Sequence, residues 1–263
     1  MGSRTAFDLL VQWYSDRCVS DPALWLELGA LHASGQNRAE FRSSVRAVEC
    51  YMMGARANVR ACLQALRQAA SVNADTAFAT LCQFYQEKWE HGDKEAILSL
   101  AELYSSGCGV ETNCSKQLAA DTYFKAHRAD IPNSLAELRA LAAQGVGQAR
   151  FHLGFCYAEG IGVEPSVSVA ITHYRDAARV NHVAAFEQFC HLQRSRTEQT
   201  GDANDQYALG DALRTGLGMP ACINKEAAVS FIASAAGQGH PDALPQLRSM
   251  ASQGWPSAFE TFV

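Results

Sequence analysis

The sequence has no long hydrophobic run, no cluster of basic residues and almost no strand pattern. No apolar stretch reaches the roughly 18 residues from which a membrane-spanning helix is recognised. The 22 Lys and Arg residues are outnumbered by 27 Asp and Glu residues, which gives a net charge of −5. Nucleic-acid binding would require Lys and Arg clustered on one face. These absences predict a chain without a membrane span and without a nucleic-acid partner.

Residues Met1 to Asp8 lack the basic flank and apolar stretch of a secretory signal. The location cannot rest on this absence, and the scattered cysteines are the ground on which a cytoplasmic location is predicted. Met1-Gly2-Ser3 resembles a cloning remnant, however. A periplasmic location after removal of a signal peptide is therefore the alternative.

The nine cysteines include no Cys-x-x-Cys pair, and their odd number leaves at least one thiol unpaired within the chain. Most of them fall in amphipathic patterns, where cysteine acts as a small apolar side chain. A reducing compartment is the simpler interpretation. Cys108 and Cys114 flank one loop, and their pairing in an oxidising compartment stays open.

Catalytic and metal-binding signatures are also missing. There is no Gly-x-Ser-x-Gly, and the Gly-x-Gly loops lack the preceding strand and the Lys-Ser/Thr of a phosphate-binding loop. His152 and Cys156 share one helix face, but two ligands do not make a metal site, and packing explains them better. His173, His182 and His191 are interpreted as surface or capping residues. We therefore predict no catalytic residue, no metal and no cofactor; a hydrolase-type enzyme with a Cys/His pair assembled by the fold is the alternative.

The sequence does contain an internal repeat, which determines architecture before any single element does. Three segments align without gaps, and a fourth has only the first half of the pattern: Leu100–Val110, Leu153–Val163, Leu209–Met219 and Leu28–Gly35. Beneath them runs a finer period in which a turn residue is followed by a small residue four positions later and a large apolar residue eight positions later. Residues at this spacing lie along one stripe of a helix.

Each repeat predicts a helix hairpin. The first helix ends at a glycine in the left-handed conformation, and the valine of the loop, or Met219, is expected to lie under the turn as an apolar plug. The second helix of one hairpin is predicted over Ser166 to Arg179, with Val169, Ala170, Tyr174, Ala177 and Ala178 on its buried side. Such a hairpin must stack on its neighbours to hide its apolar faces.

These patterns predict an all-α chain forming a single repeat domain over residues 1–263. A helical bundle would not explain the repeated loop, and frequent Gly and Pro interruptions exclude a coiled coil. The predicted parts are an N-terminal helix at 4–19, full repeats at 20–57, 92–129, 145–180 and 201–238, and half-repeats with a C-terminal cap at 58–91, 130–144, 181–200 and 239–263.

The pattern Leu-Gly-x-x-Tyr-x-x-Gly-x-Gly-Val, followed by a helix ending Ala-Ala and by Gln-Gly-x-x-x-Ala, resembles the Sel1-like repeat, a relative of the tetratricopeptide repeat. Residues 92–179 and 201–239 carry the resemblance, although Ala101 replaces a motif glycine and Leu213 the tyrosine. The motif residues are Leu28, Gly29, Gly35, Leu100, Tyr104, Gly107, Gly109, Leu153, Gly154, Tyr157, Gly160, Gly162, Leu209, Gly210, Gly216 and Gly218.

The resemblance implies a right-handed α/α superhelix with a concave surface and a role as a protein-binding scaffold or adaptor. Many such proteins are bacterial, and some resemble immunity proteins that neutralise secreted lipase toxins. The implied partner is another protein, with a secreted effector or toxin as one option, and the chain is expected to be a monomer or a weak homodimer.

Positions between the motif residues vary from repeat to repeat and are predicted to contact the partner. They are His32, Glu102, Ser105, Phe155, Glu159, Asp211 and Arg214. Glu102, Glu159 and Asp211 make this surface acidic, which favours a basic segment of the partner. The apolar C-terminal segment, Trp255 to Val263, is predicted to cap the last helix pair, with dimerisation or partner docking as the alternative.

Overall fold

The computed structural model describes residues 2–72, 75–255 and 258, and within these ranges the chain forms fourteen α-helices and no strand. The predicted all-α class is confirmed. The helices are α1 Gly2–Arg17, α2 Leu24–Ser34, α3 Ser44–Arg56, α4 Arg60–Ser71, α5 Asp75–Glu90, α6 Lys94–Ser106, α7 Lys116–Arg128, α8 Ser134–Ala143, α9 Gly147–Glu159, α10 Val167–Ala178, α11 Val183–Thr200, α12 Ala203–Thr215, α13 Lys225–Gly237 and α14 Ala243–Ser252.

Two compact units divide the chain, Met1–Ala126 and His127–Val263. The core of the first unit includes Leu66 and Leu81, which are fully buried. The core of the second includes Tyr174, Phe189 and Ile232. The single repeat domain and its internal boundaries stay predictions.

Four hairpins, α2–α3, α6–α7, α9–α10 and α12–α13, contain the segments aligned in the sequence. Their first helices end at Gly35, Gly107, Gly160 and Gly216, each with a left-handed backbone (φ 55°, 58°, 72° and 58°). Two features of Gly107 exclude a side chain. Its backbone is left-handed, and a Cβ would lie 2.7 Å from the backbone nitrogen of Cys114 in the returning chain. Glycine thus permits both the turn and the close return of the chain.

One backbone hydrogen bond recurs at the base of every hairpin loop. The residue before the second helix donates its N–H to the carbonyl at the fifth motif position; the pairs are Ser43 to His32 (2.9 Å), Ser115 to Tyr104 (2.7 Å), Ser166 to Tyr157 (2.8 Å) and Asn224 to Leu213 (2.9 Å). The same Ser or Asn side chain accepts from the first turn of the second helix. It therefore caps that helix while its backbone closes the loop.

The loop residues differ in burial. Met219 is buried, whereas Val110 and Val163 are half-buried. The second helix predicted over 166–179 is α10, but Val169 is 37% exposed and the buried aliphatic side chain is Ile171. The predicted buried side was wrong at this position because the buried stripe of α10 runs through Ile171 and Tyr174, and Val169 lies outside that stripe and faces solvent.

Three single helices accompany the hairpins of the second unit: α8 precedes α9–α10, α11 lies between α9–α10 and α12–α13, and α14 follows α12–α13. The segment 58–91 instead forms two helices, α4 and α5. Trp255 and Ala258, from the predicted C-terminal cap, are buried in the core of the second unit. Residues 256, 257 and 259–263 of that cap lie outside the described ranges.

Candidate functional site

Exposed charged side chains stand on two of the first helices. Glu102 is exposed on α6 and Glu159 is exposed at the end of α9. Glu102 borders a depression of about 300 Å³ in the first unit, together with Arg67 and Ser106. Ser105 is half-buried, and its carbonyl accepts a hydrogen bond from the Cys114 thiol at 2.9 Å. Both cysteines of this loop, Cys108 and Cys114, are free thiols.

Three other predicted contact positions make contacts within the protein. Phe155 is half-buried and packs against the core of the second unit. Asp211 and Arg214 form an ion pair on α12, in which the Arg214 Nε donates to the Asp211 carboxylate at 3.1 Å. Their charges largely cancel, so Asp211 adds little to an acidic surface.

His32 is a correction to the predicted contact set. It is 4% exposed and meets the edge of the Phe7 ring at a centroid distance of 6.1 Å. Burial lowers the pKa of its imidazole. The charge of Arg46 lowers this pKa further, and the charge of Glu49 raises it by less. The side chain is packed beneath helix α1 and is not available to a partner, which the isolated repeat pattern could not show.

A pocket of about 310 Å³ opens in the second unit between α10, α11 and α12. We call it the arginine pocket. Its lining residues are Ser168, Ile171, Thr172, Arg175, Arg179, Phe189, Gln193, Arg196, Ala208, Asp211, Ala212 and Leu217. Sequence reasoning missed it, although Arg175 and Arg179 stand four residues apart and hence on one helix face.

Arg196 lines the arginine pocket and forms an ion pair with the buried Asp205, which is not itself a lining residue. Asp205 is 5% exposed and accepts hydrogen bonds from the Arg196 guanidinium, one of them from Nε at 2.8 Å, and from the Gln193 amide at 3.2 Å. Burial raises the pKa of the Asp205 carboxyl, but hydrogen bonds and charge from Arg196, with smaller contributions from Gln193 and Thr200, hold that pKa below its usual range. The pair is therefore ionised at neutral pH and fixes α11 against α12.

The histidine and cysteine candidates occupy structural positions. His182 caps α11 by accepting from the Ala185 N–H, and its Nε2 contacts the Gln148 Oε1 at 2.8 Å. His173 stacks on Tyr157, and His191 is exposed. His152 and Cys156 are both buried, and burial raises the pKa of the Cys156 thiol to about 11.

Within residues 2–72, 75–255 and 258, no three His, Cys, Asp or Glu side chains are grouped so that they could hold a metal ion. No helix in those ranges is long and apolar enough to cross a membrane.

Comparison with known proteins identifies the repeat. The family model of the Sel1 repeat matches residues 147–182 and 203–240, which contain α9–α10 and α12–α13. Comparison with curated proteins finds no match.

Two solved structures resemble the chain at low identity. A Sel1 repeat protein from Oxalobacter formigenes is 22% identical over 88% of this chain and 79% of its own, with a TM-score of 0.22. A protective antigen present in uropathogenic Escherichia coli strains, described as displaying an SLR fold, is 20% identical with a TM-score of 0.29, and the match covers 93% of this chain and 60% of that one. The matches of the family model lie on two of the four hairpins described above, so the chain contains Sel1 repeats at residues 147–182 and 203–240.

Proposed function

We propose that this chain is a scaffold or adaptor that binds another protein through the exposed face of its first helices. Sel1 repeat proteins generally mediate protein–protein interactions. The observation that carries the proposal is that α6 and α9 each have buried motif residues and an exposed glutamate that does not belong to the motif. In α6 the motif residue Leu100 is buried while Glu102 is exposed, and in α9 Leu153 is buried while Glu159 is exposed.

This arrangement supports binding for a physical reason. The buried leucines and the small residues beside them, Ala101 and Gly154, are fixed by packing, so their replacement would disturb the hairpin. Glu102 and Glu159 have no such constraint, and charged side chains at an interface select the partner and steer its approach. The fold can therefore keep its core while its surface fits one partner.

The experiment is affinity capture with matched variants. The chain, used as bait in an extract of its native host, is expected to retain one stoichiometric protein. Glu102→Lys and Glu159→Lys, tested singly, should reduce the amount retained, because each reverses a charge on the proposed surface. Glu226→Lys is the control, since Glu226 is equally exposed but lies on the second helix α13.

Two results would count against the scaffold. One is the absence of any stoichiometric partner across cell compartments. The other is a partner retained equally by the first-helix variants but lost with Glu226→Lys, which would move the contact surface to the second helices.

A finer proposal is that the partner is a secreted toxin, such as a lipase, which this chain neutralises as an immunity protein. The Sel1-like resemblance supports it. Adding the chain to the purified partner in a fluorogenic ester assay should then abolish hydrolysis at a one-to-one ratio. Undiminished hydrolysis in a stable complex would leave a scaffold without inhibitory function.

The alternative, a hydrolase with a Cys/His pair, meets an electrostatic obstacle. Burial raises the pKa of Cys50, Cys82 and Cys156 to about 11 and that of Cys190 to about 12. These thiols are protonated at neutral pH and are therefore poor nucleophiles. Iodoacetamide at pH 7.5 should label all four slowly in the native chain; rapid, selective labelling of one of them would favour the enzyme.

A further inference from the structure

We propose that the arginine pocket binds the carboxylate of a glutamate side chain that the protein partner presents. The proposal rests on the scaffold function above and names the chemistry that one part of the scaffold recognises. It also differs from the basic partner segment that Glu102 and Glu159 predict, because neither of these residues lines the arginine pocket.

The first observation is an incompletely satisfied guanidinium. The Arg175 Nε is buried and has no hydrogen-bond acceptor among the described residues. Its nearest carboxylate oxygen, Asp176 Oδ1, lies 3.9 Å away, and the same oxygen lies 3.6 Å from the Arg179 Nη1. Both distances exceed that of a hydrogen bond. A buried donor without an acceptor is unfavourable. The Arg175 side chain as a whole is 40% exposed, so an incoming carboxylate would reach the guanidinium, and a small rotation of that group would give Nε its acceptor.

The second observation is the charge balance around the pocket. Arg196 is paired with Asp205, and Arg214 is paired with Asp211, so these four groups cancel in pairs. Arg175 and Arg179 share the single carboxylate of Asp176, which leaves one positive charge in excess. Arg150 adds to this excess from the other side, because its Nη1 donates to the Asp176 carbonyl at 3.2 Å. The local field therefore favours an anion although the whole chain is acidic.

The third observation is the size and lining of the pocket. A volume of about 310 Å³ lies at the lower end of the range for ligand pockets and suits one side chain rather than a large cofactor. Ile171, Phe189 and Leu217 supply apolar surface beside the arginines. A glutamate places two methylene groups on that surface and its planar carboxylate against the guanidinium fork, the geometry that arginine recognises best.

The test is a titration followed by nuclear magnetic resonance, with the peptide acetyl-Gly-Glu-Gly-amide as the probe. Binding should shift the Arg175 Nε–Hε signal and the backbone amides of Thr172 and Gln193 in a saturable way. The matched peptide acetyl-Gly-Gln-Gly-amide should produce no saturable shift.

Variants separate the pocket from the rest of the surface. Arg175→Gln and Arg179→Gln should each weaken binding of the glutamate peptide about tenfold, the change that about 1.4 kcal/mol produces. Arg248→Gln on α14 is the control, because Arg248 is exposed and lies outside the pocket. Arg179 is also largely exposed, so its replacement leaves the core intact even if Arg175→Gln perturbs folding.

Three outcomes would overturn the proposal: no saturable shift with the glutamate peptide, equal shifts with the glutamine peptide, or binding unaffected by both pocket variants. Inorganic phosphate forms a further arm, and tighter binding of phosphate than of the glutamate peptide would also reject a carboxylate ligand. A captured partner retained equally by Arg175→Gln would leave the scaffold function standing and reject only the pocket's role in it.

Discussion

Gly154 stands in the middle of α9, where glycine is intrinsically unfavourable by about 1 kcal/mol relative to alanine. The second helix of its hairpin explains the residue. A Cβ at position 154 would lie 2.8 Å from two ring carbons of Tyr174, a side chain that is 1% exposed. Gly29 and Gly210 face Tyr51 and Ile232 in the same way. The motif glycine therefore allows the two helices of a hairpin to approach each other closely.

Replacing Gly154 by alanine is expected to lower the free energy of unfolding by about 1–3 kcal/mol, because Tyr174 has no free space into which it can move. Urea unfolding monitored by circular dichroism measures the change. Gly237→Ala is the control, since nothing lies within 4 Å of a Cβ there and α13 would gain a better helix former. A Gly154→Ala variant as stable as the control would contradict the close approach.

The ionised carboxylate of Asp205 makes the free energy of unfolding depend on pH. Its folded pKa is below the usual value, so its contribution to stability is present above the unfolded pKa of about 3.9 and is lost as pH falls through the folded pKa. We expect Asp205→Asn to destabilise the chain by about 1–3 kcal/mol at pH 7. The difference from the wild type should shrink below about pH 4.

Urea unfolding at pH 7, 5 and 3 measures this dependence. Asp8→Asn serves as the control, because Asp8 is exposed on α1 and should show no difference at any of the three values. A stability loss for Asp205→Asn that is equally large at pH 3 would show that the ionised pair with Arg196 is not its cause.

At the scale of the element, the single helix α11 packs against both α10 and α12 in the second unit. It supplies Phe189, which is 2% exposed in the core, together with Gln193 and Arg196, which hold Asp205 of α12. The same residues line the arginine pocket. Helix α11 therefore joins two hairpins and provides one wall of the proposed binding site.

Phe189→Ala should cost about 3–5 kcal/mol, because a large buried side chain leaves a cavity. Val183→Ala on the same helix should cost less than about 0.5 kcal/mol, since Val183 is 54% exposed. Thermal unfolding of both variants measures the contrast. Similar losses for the two would mean that α11 is not packed in the core as described.

Elements could be predicted from the sequence where a local pattern specifies them. The glycines that end α2, α6, α9 and α12 follow from the need for a left-handed residue, and the small-to-large spacing predicts the helices. The exposure of Val169 was missed because Val169 and Ile171 are both apolar and flank Ala170, and the pattern alone does not show which of the two faces the core. The burial of His32 was missed because it depends on Phe7, a residue of a different helix.

At the scale of the whole molecule, the division into two units was not predicted. Its boundary, between Ala126 and His127, falls inside α7, where the sequence has neither a linker nor a change in composition. The arginine pocket was missed for a related reason. Arg175, Arg196 and Asp211 lie on three different helices, and only tertiary structure brings them to one cavity.

The most direct test of the central claim, protein binding through the first helices, is carboxyl footprinting of the chain alone and in complex with its captured partner. Carbodiimide and glycine ethyl ester label exposed carboxylates, and mass spectrometry measures the labelling of each. If the partner binds the first helices, Glu102 or Glu159 should lose labelling in the complex while Glu226 on α13 keeps it. Protection of Glu226, with Glu102 and Glu159 labelled as in the free chain, would contradict it.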